Sequence, residues 1–91
     1  MEQVIATSWV KVFKHDELYV FVSREDTKND EAPYALQVRF EVEDGIEVKV
    51  APEYADEDKR DANFDTFDAE RALNTVNGIK EQFFKQKGEP I

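Results

Sequence analysis

Between residues 34 and 50, large apolar side chains alternate with small or polar ones. Tyr34, Leu36, Val38, Phe40 and Val42 are interleaved with Ala35, Gln37, Arg39 and Glu41; Ile46, Val48 and Val50 are interleaved with Glu47 and Lys49. Successive side chains on a strand point to opposite faces, so each run makes one apolar and one polar face. Asp44-Gly45 between the runs is the residue pair a tight hairpin favours. The apolar face of this hairpin must be covered, and the rest of the chain has to supply the cover.

Upstream, residues 4–13 are rich in β-branched and aromatic types and predict a first strand; residues 18–23 predict a second, with residues 14–17 as a polar turn. This pair is apolar on both sides. With a three-residue turn, Val10, Val12, Leu18, Val20 and Val22 share one face and Trp9, Phe13, Tyr19 and Phe21 the other. A two- or four-residue turn shifts the register by one and reassigns the faces. An uncovered aromatic face or a free strand edge recruits a partner, so Trp9, Phe13, Tyr19 and Phe21 are the expected interface of a homodimer.

Residues 24–33 and 51–63 are polar, each with a proline, and read as loops. From Phe64 the period changes. Ala69, Ala72, Leu73, Val76, Ile79 and Phe83 fall at helical spacing and predict one helix over residues 66–87. Asp65 is the expected N-cap, Asp68 opposes the positive helix end, Lys85 and Lys87 oppose the negative one, and Gly88 is suited to the closing turn. Gly78 lies opposite the stripe, where it costs about 1 kcal/mol relative to alanine. The order β-β-β-β-α predicts a single α+β domain over residues 1–91. It is a two-layer structure, a four-stranded antiparallel meander with one C-terminal helix packed on one face. The expected main contact sets Leu73, Val76, Ile79 and Phe83 against Leu36, Val38 and Phe40.

Charge narrows the function. The chain has 21 acidic and 12 basic residues, a net charge of -9. That balance disfavours direct contact with nucleic-acid phosphates and with anionic membranes, and favours a protein partner with a basic surface. There is no cysteine, which excludes disulfides and thiolate chemistry and points to a cytoplasmic setting. The start, MEQVIATSWVKVFK, lacks the basic-then-apolar order of a secretory signal, and no apolar stretch approaches the ~20 residues that span a bilayer. In a meander, the two acidic loops share one end. One carries Glu25, Asp26, Asp30 and Glu31. The other carries Glu53, Asp56, Glu57, Asp58, Asp61, Asp65, Asp68 and Glu70 against only Lys59 and Arg60. This predicts an acidic docking pole. Tyr54, Phe64 and Phe67 lie inside the second segment. They are either buried under the sheet or serve as aromatic anchors ringed by carboxylates.

Catalysis finds little support. His15 is the only histidine and lies in a turn beside Asp16. No glycine-rich phosphate loop exists among Gly45, Gly78 and Gly88. Asp61-Ala-Asn63-Phe-Asp65 matches the opening of a calcium loop, but Thr66 replaces the required glycine and Ala72 the bidentate twelfth ligand. No cofactor, metal or catalytic residue is expected. The function that follows is a non-enzymatic acidic interaction protein, in its sharpest form a nucleic-acid mimic, with a homo-oligomeric assembly protein as the second reading and a small calcium module or enzyme as the third.

Overall fold

The computed structural model of the chain describes residues 1–88. Its antiparallel sheet runs in the order β1-β2-β3-β4-β5, from β1 (Glu2–Ala6), β2 (Val10–His15), β3 (Leu18–Asp26), β4 (Tyr34–Glu43) and β5 (Ile46–Val50). A short β6 (Glu53–Tyr54) pairs with the start of β4, and Leu36 N–H donates to the Pro52 carbonyl at 3.1 Å where β5 gives way to β6. Two helices follow, α1 (Glu57–Asp65) and α2 (Ala69–Gly88). The class is α+β with an antiparallel sheet, as the alternation and the helical stripe predict, but the four-strand, one-helix outline is too simple.

The expected first strand is two strands. Thr7 Oγ1 accepts from the N–H of Trp9 at 3.2 Å and of Val10 at 2.9 Å, and Thr7 N–H donates to the Val10 carbonyl at 2.8 Å. These local bonds fold the chain back at Thr7-Ser8-Trp9 without glycine or proline. The next turn is Asp16-Glu17 alone, with Asp16 at φ 55°, a conformation aspartate tolerates better than most residues. The register that results sets Phe13 opposite Val20 and Lys11 opposite Val22. Phe13 therefore belongs to the covered face, where it is 0% exposed, and is removed from the expected dimer interface. Val10 and Val12 move to the opposite face, beside Tyr19 and Phe21.

The second helix was hidden in a segment that reads as loop. Asp56 caps α1, accepting from Asp58 N–H at 2.9 Å. α2 then starts at Ala69, and its cap is Asp68, which accepts from Arg71 N–H at 2.9 Å; Asp65 instead ends α1. Phe67, just before the cap, and Ala72, in the first turn, are both buried, the arrangement of a hydrophobic staple. α2 runs through Gly88, so its closing turn lies outside the described residues.

The core lies between one sheet face and the helices. Phe13, Val20, Val22, Leu36, Val38 and Phe40 meet Phe64, Phe67, Ala72 and Val76 there, with Ile79 and Phe83 packed at its margin. Leu73, expected in that layer, is exposed, because Ala72 and Val76 set the phase of the helix. α1 crosses from the β4–β6 edge toward β2. α2 returns, from Phe67 against Phe13 at 5.9 Å to Ile79 and Phe83 beside Val48 and Val50 of β5. Among the described residues, no helix is long and apolar enough to cross a membrane. A Cβ at Gly78 would meet nothing within 4 Å. Gly78→Ala is therefore expected to raise stability by about 0.5–1 kcal/mol, seen as a higher denaturation midpoint at unchanged m-value.

Candidate partner-binding surface

The end of the sheet where β3 stops and β4 begins also holds the turn at Thr7-Ser8-Trp9 and is crossed by α1. The loop between β3 and β4 is closed on itself. Thr27 N–H donates to the Pro33 carbonyl at 2.8 Å, Thr27 Oγ1 to the Ala32 carbonyl at 2.7 Å, and Glu31 N–H to Asn29 Oδ1 at 3.1 Å. Asn29 Nδ2 ties the loop to Glu53 of β6 at 3.0 Å. Asp30 and Glu31 are left exposed at its tip.

Under α1, positive charge points inward. Arg60 is 1% exposed. Its Nη1 donates to the Glu25 carbonyl at 2.7 Å, its Nε to Asp61 Oδ1 at 2.8 Å and its Nη2 to Glu57 Oε2 at 3.3 Å, and its guanidinium lies 5.2 Å from the Tyr34 ring. Arg24 reaches the same Asp61 Oδ1 at 3.0 Å, bonds the Ser8 carbonyl, and stacks on the rings of Phe64 at 5.1 Å and Trp9 at 4.7 Å. Lys11 Nζ donates to the carbonyls of Phe64, Asp65 and Phe67 at 2.6, 3.1 and 3.0 Å. These carbonyls lie at and just beyond the helix end, where backbone acceptors are unpaired and the dipole is negative. α1 has no basic residue in its own last turn, and the sheet supplies one.

The outer surface is the reverse. Asp56, Glu57, Asp58, Asp65 and Asp68 are exposed on and beside the helices, with Glu25, Asp26, Asp30, Glu31 and Glu53 nearby, against the exposed bases Lys28 and Lys59. Asp61 is half-buried between two arginines. The expected aromatic anchors are elsewhere. Phe64 at 2% and Phe67 at 3% exposure are core residues, because the segment folds back as helix and staple; Tyr54 is half-buried in β6. The exposed ring at this end is Trp9, 52% exposed, with the Arg24 and Arg60 guanidinium groups 4.7 and 5.9 Å from it. The charge is also not confined to one tip. Asp16, Glu17, Glu41, Glu43, Asp44 and Glu47 gather around the two hairpin turns at the far end.

The calcium-like motif is undone by α1. Asp61, Asn63 and Asp65 lie two residues apart on a helix, so successive side chains point to nearly opposite sides. Asp61 is held by Arg24 and Arg60, while the Asn63 amide donates to the Lys59 carbonyl at 2.9 Å and its oxygen accepts from Arg71 at 2.9 Å. Among the described residues, no group of three or more histidine or carboxylate side chains is placed to hold a metal ion. His15 is not in the turn but at the end of β2, exposed and 3.6 Å from Asp16. Comparison with protein-family models, with curated proteins and with solved structures finds no match.

The hydrogen bond from Arg60, reinforced by Arg24, holds the Asp61 carboxyl below the usual carboxylate range. The unfolded chain therefore binds the proton more readily than the folded one, and stability rises with pH across this window. The contribution is present above about pH 4 and is lost as pH falls through the depressed folded value. Thermal midpoints of the wild type and Asp61→Asn are expected to differ by a constant amount above about pH 4 and to converge as pH falls below it. A gap that stays constant into strong acid would contradict the pairing.

Proposed function

We propose that this chain is a non-enzymatic, acidic interaction module that docks a partner with a basic surface through the end of the sheet crossed by α1. The observation that carries this reading is the sorting of charge there: Arg60, Arg24 and Lys11 turned beneath the helix, carboxylates outside, and the half-exposed Trp9 among them. Inward cations leave the outer field acidic, and an exposed tryptophan is the side-chain type that most often anchors an interface. In its sharpest form the module is a nucleic-acid mimic, its carboxylates taking the place of phosphates in the groove of a DNA- or RNA-binding protein. The absence of cysteine in this chain fits a cytoplasmic setting.

The test is affinity capture on the immobilised chain, followed by salt and competitor. The bound partner is expected to lose affinity by tenfold or more between about 50 and 200 mM salt and to be displaced by duplex DNA. A variant carrying Asp56→Asn, Asp58→Asn and Asp65→Asn should bind at least tenfold more weakly. Binding indifferent to salt and to these changes would sink the proposal.

A further inference from the structure

β5 is an outer strand of the sheet, and among the described residues no strand pairs with its free side. Such an edge offers backbone donors and acceptors that a further strand can pair. The charges on β5 are poorly placed within one copy. The register sets Glu47 directly opposite Glu41 and Lys49 directly opposite Arg39, and like charges facing each other across strands are destabilising. The diagonal bond from Arg39 Nη1 to Glu47 Oε2, at 3.3 Å, relieves this only for Glu47. On the helix side of the same edge, Ile46 is 42% exposed, and Val48 and Val50 line an open groove with Ile79 and Phe83 of α2. Phe84, exposed in the next position, has its ring 5.3 Å from that of Phe83.

The strand is its own complement. Ile46-Glu47-Val48-Lys49-Val50 reads apolar, acid, apolar, base, apolar. Paired antiparallel with the β5 of a second copy about Val48, it sets Glu47 opposite Lys49 of that copy, Lys49 opposite its Glu47, and Ile46 opposite its Val50. Each charge that faces a like charge on β4 then faces an opposite one across the junction. A slip of one residue sets charged side chains against apolar ones. A slip of two sets Glu47 or Lys49 against itself. The two-fold axis follows from the pairing, because identical strands run antiparallel about one residue are related by it. The other edge strand, β1, lacks these features: it carries a bulge between Gln3 and Ile5 and no base to answer Glu2. We infer that two copies of the chain join edge to edge through β5, continuing one sheet across both. Both helix layers then lie on the same side, so the two α2 ends bring Phe83 and Phe84 together over the junction.

Sedimentation equilibrium over a concentration series tests it, at about 150 mM salt, where repulsion beyond ~8 Å is screened and contact pairs are not. The wild type is expected to reach twice the 10.6 kDa chain mass. Glu47 and Lys49 are both exposed, so changing them spares the fold. Lys49→Glu sets carboxylate against carboxylate across the junction and should weaken the dimer about tenfold or more, with an unchanged circular dichroism spectrum. The exchange Glu47→Lys, Lys49→Glu should restore it. A wild type that stays monomeric at millimolar concentration overturns the inference, as does a dimer indifferent to Lys49→Glu or not recovered by the exchange. Amide hydrogen exchange gives a second readout: protection of β5 should rise with chain concentration. Protection that appears only when a foreign extended peptide is added to a monomeric chain would give the edge to another strand and overturn the inference. Partner docking is read by Asp56→Asn, Asp58→Asn and Asp65→Asn, all outside β5, so either proposal can fail alone.

Discussion

Phe64→Ala is expected to destabilise the protein by about 3–5 kcal/mol. The ring is 2% exposed and is a contact through which α1 enters the core. Truncation removes a large apolar side chain and leaves a cavity that a helix with only two buried residues is poorly placed to close. It also strips a stacking surface from two cations, since Lys11 lies 4.9 Å and Arg24 5.1 Å from the ring centroid. Small domains have total stabilities of only about 5–15 kcal/mol, so the loss is a large share of the whole. Urea denaturation reads it as a drop in midpoint. A change below 1 kcal/mol would mean that α1 is not seated on the sheet.

Arg60→Ala comes next, at about 2–4 kcal/mol. The cost does not come from all its ion pairs equally. Asp26 and Glu57 have 78% and 55% exposed side chains, and pairs with such groups add little. It comes from the buried guanidinium: the bond to the Glu25 carbonyl, the bond to Asp61, and the volume it fills against Tyr34. Arg60→Met keeps most of the volume and loses the bonds, so it is expected to cost about half as much. A solvent-facing arginine would give less than about 0.5 kcal/mol for either change. Measuring both variants by denaturation therefore distinguishes packing from polar bonding at this position.

The meander and the final helix were legible in the sequence because each carries a clean period. Alternation survives in β4 and in Val48 and Val50 of β5, while Ile46, beside the register shift in β4, is exposed; Ala72, Val76, Ile79 and Phe83 lie along α2 against the core. α1 was not legible because the helical stripe in Glu57–Asp65 consists of one phenylalanine and one arginine. A buried arginine is invisible to a pattern that counts apolar residues, and what buries it, the Glu25 carbonyl of β3 and the Tyr34 ring of β4, lies far along the chain. The break between β1 and β2 was missed for a related reason: a threonine hydroxyl makes the turn, and threonine is also a favoured strand residue. The acidic segments were visible as charge. Their inward arginines and the placement of Trp9 depend on the register of β2 and β3, which a one-residue change in turn length reverses.

Trp9 is the only tryptophan in the chain, and it lies at the proposed docking end. Its fluorescence therefore reports on that surface directly. Titration with a lysine- and arginine-rich peptide is expected to give a saturable change in Trp9 emission. The midpoint should rise by tenfold or more between about 50 and 200 mM salt, and the change should vanish in the Asp56→Asn, Asp58→Asn, Asp65→Asn variant. Calorimetric binding of the same peptide with no change at Trp9, or with a midpoint that ignores salt, would contradict the account.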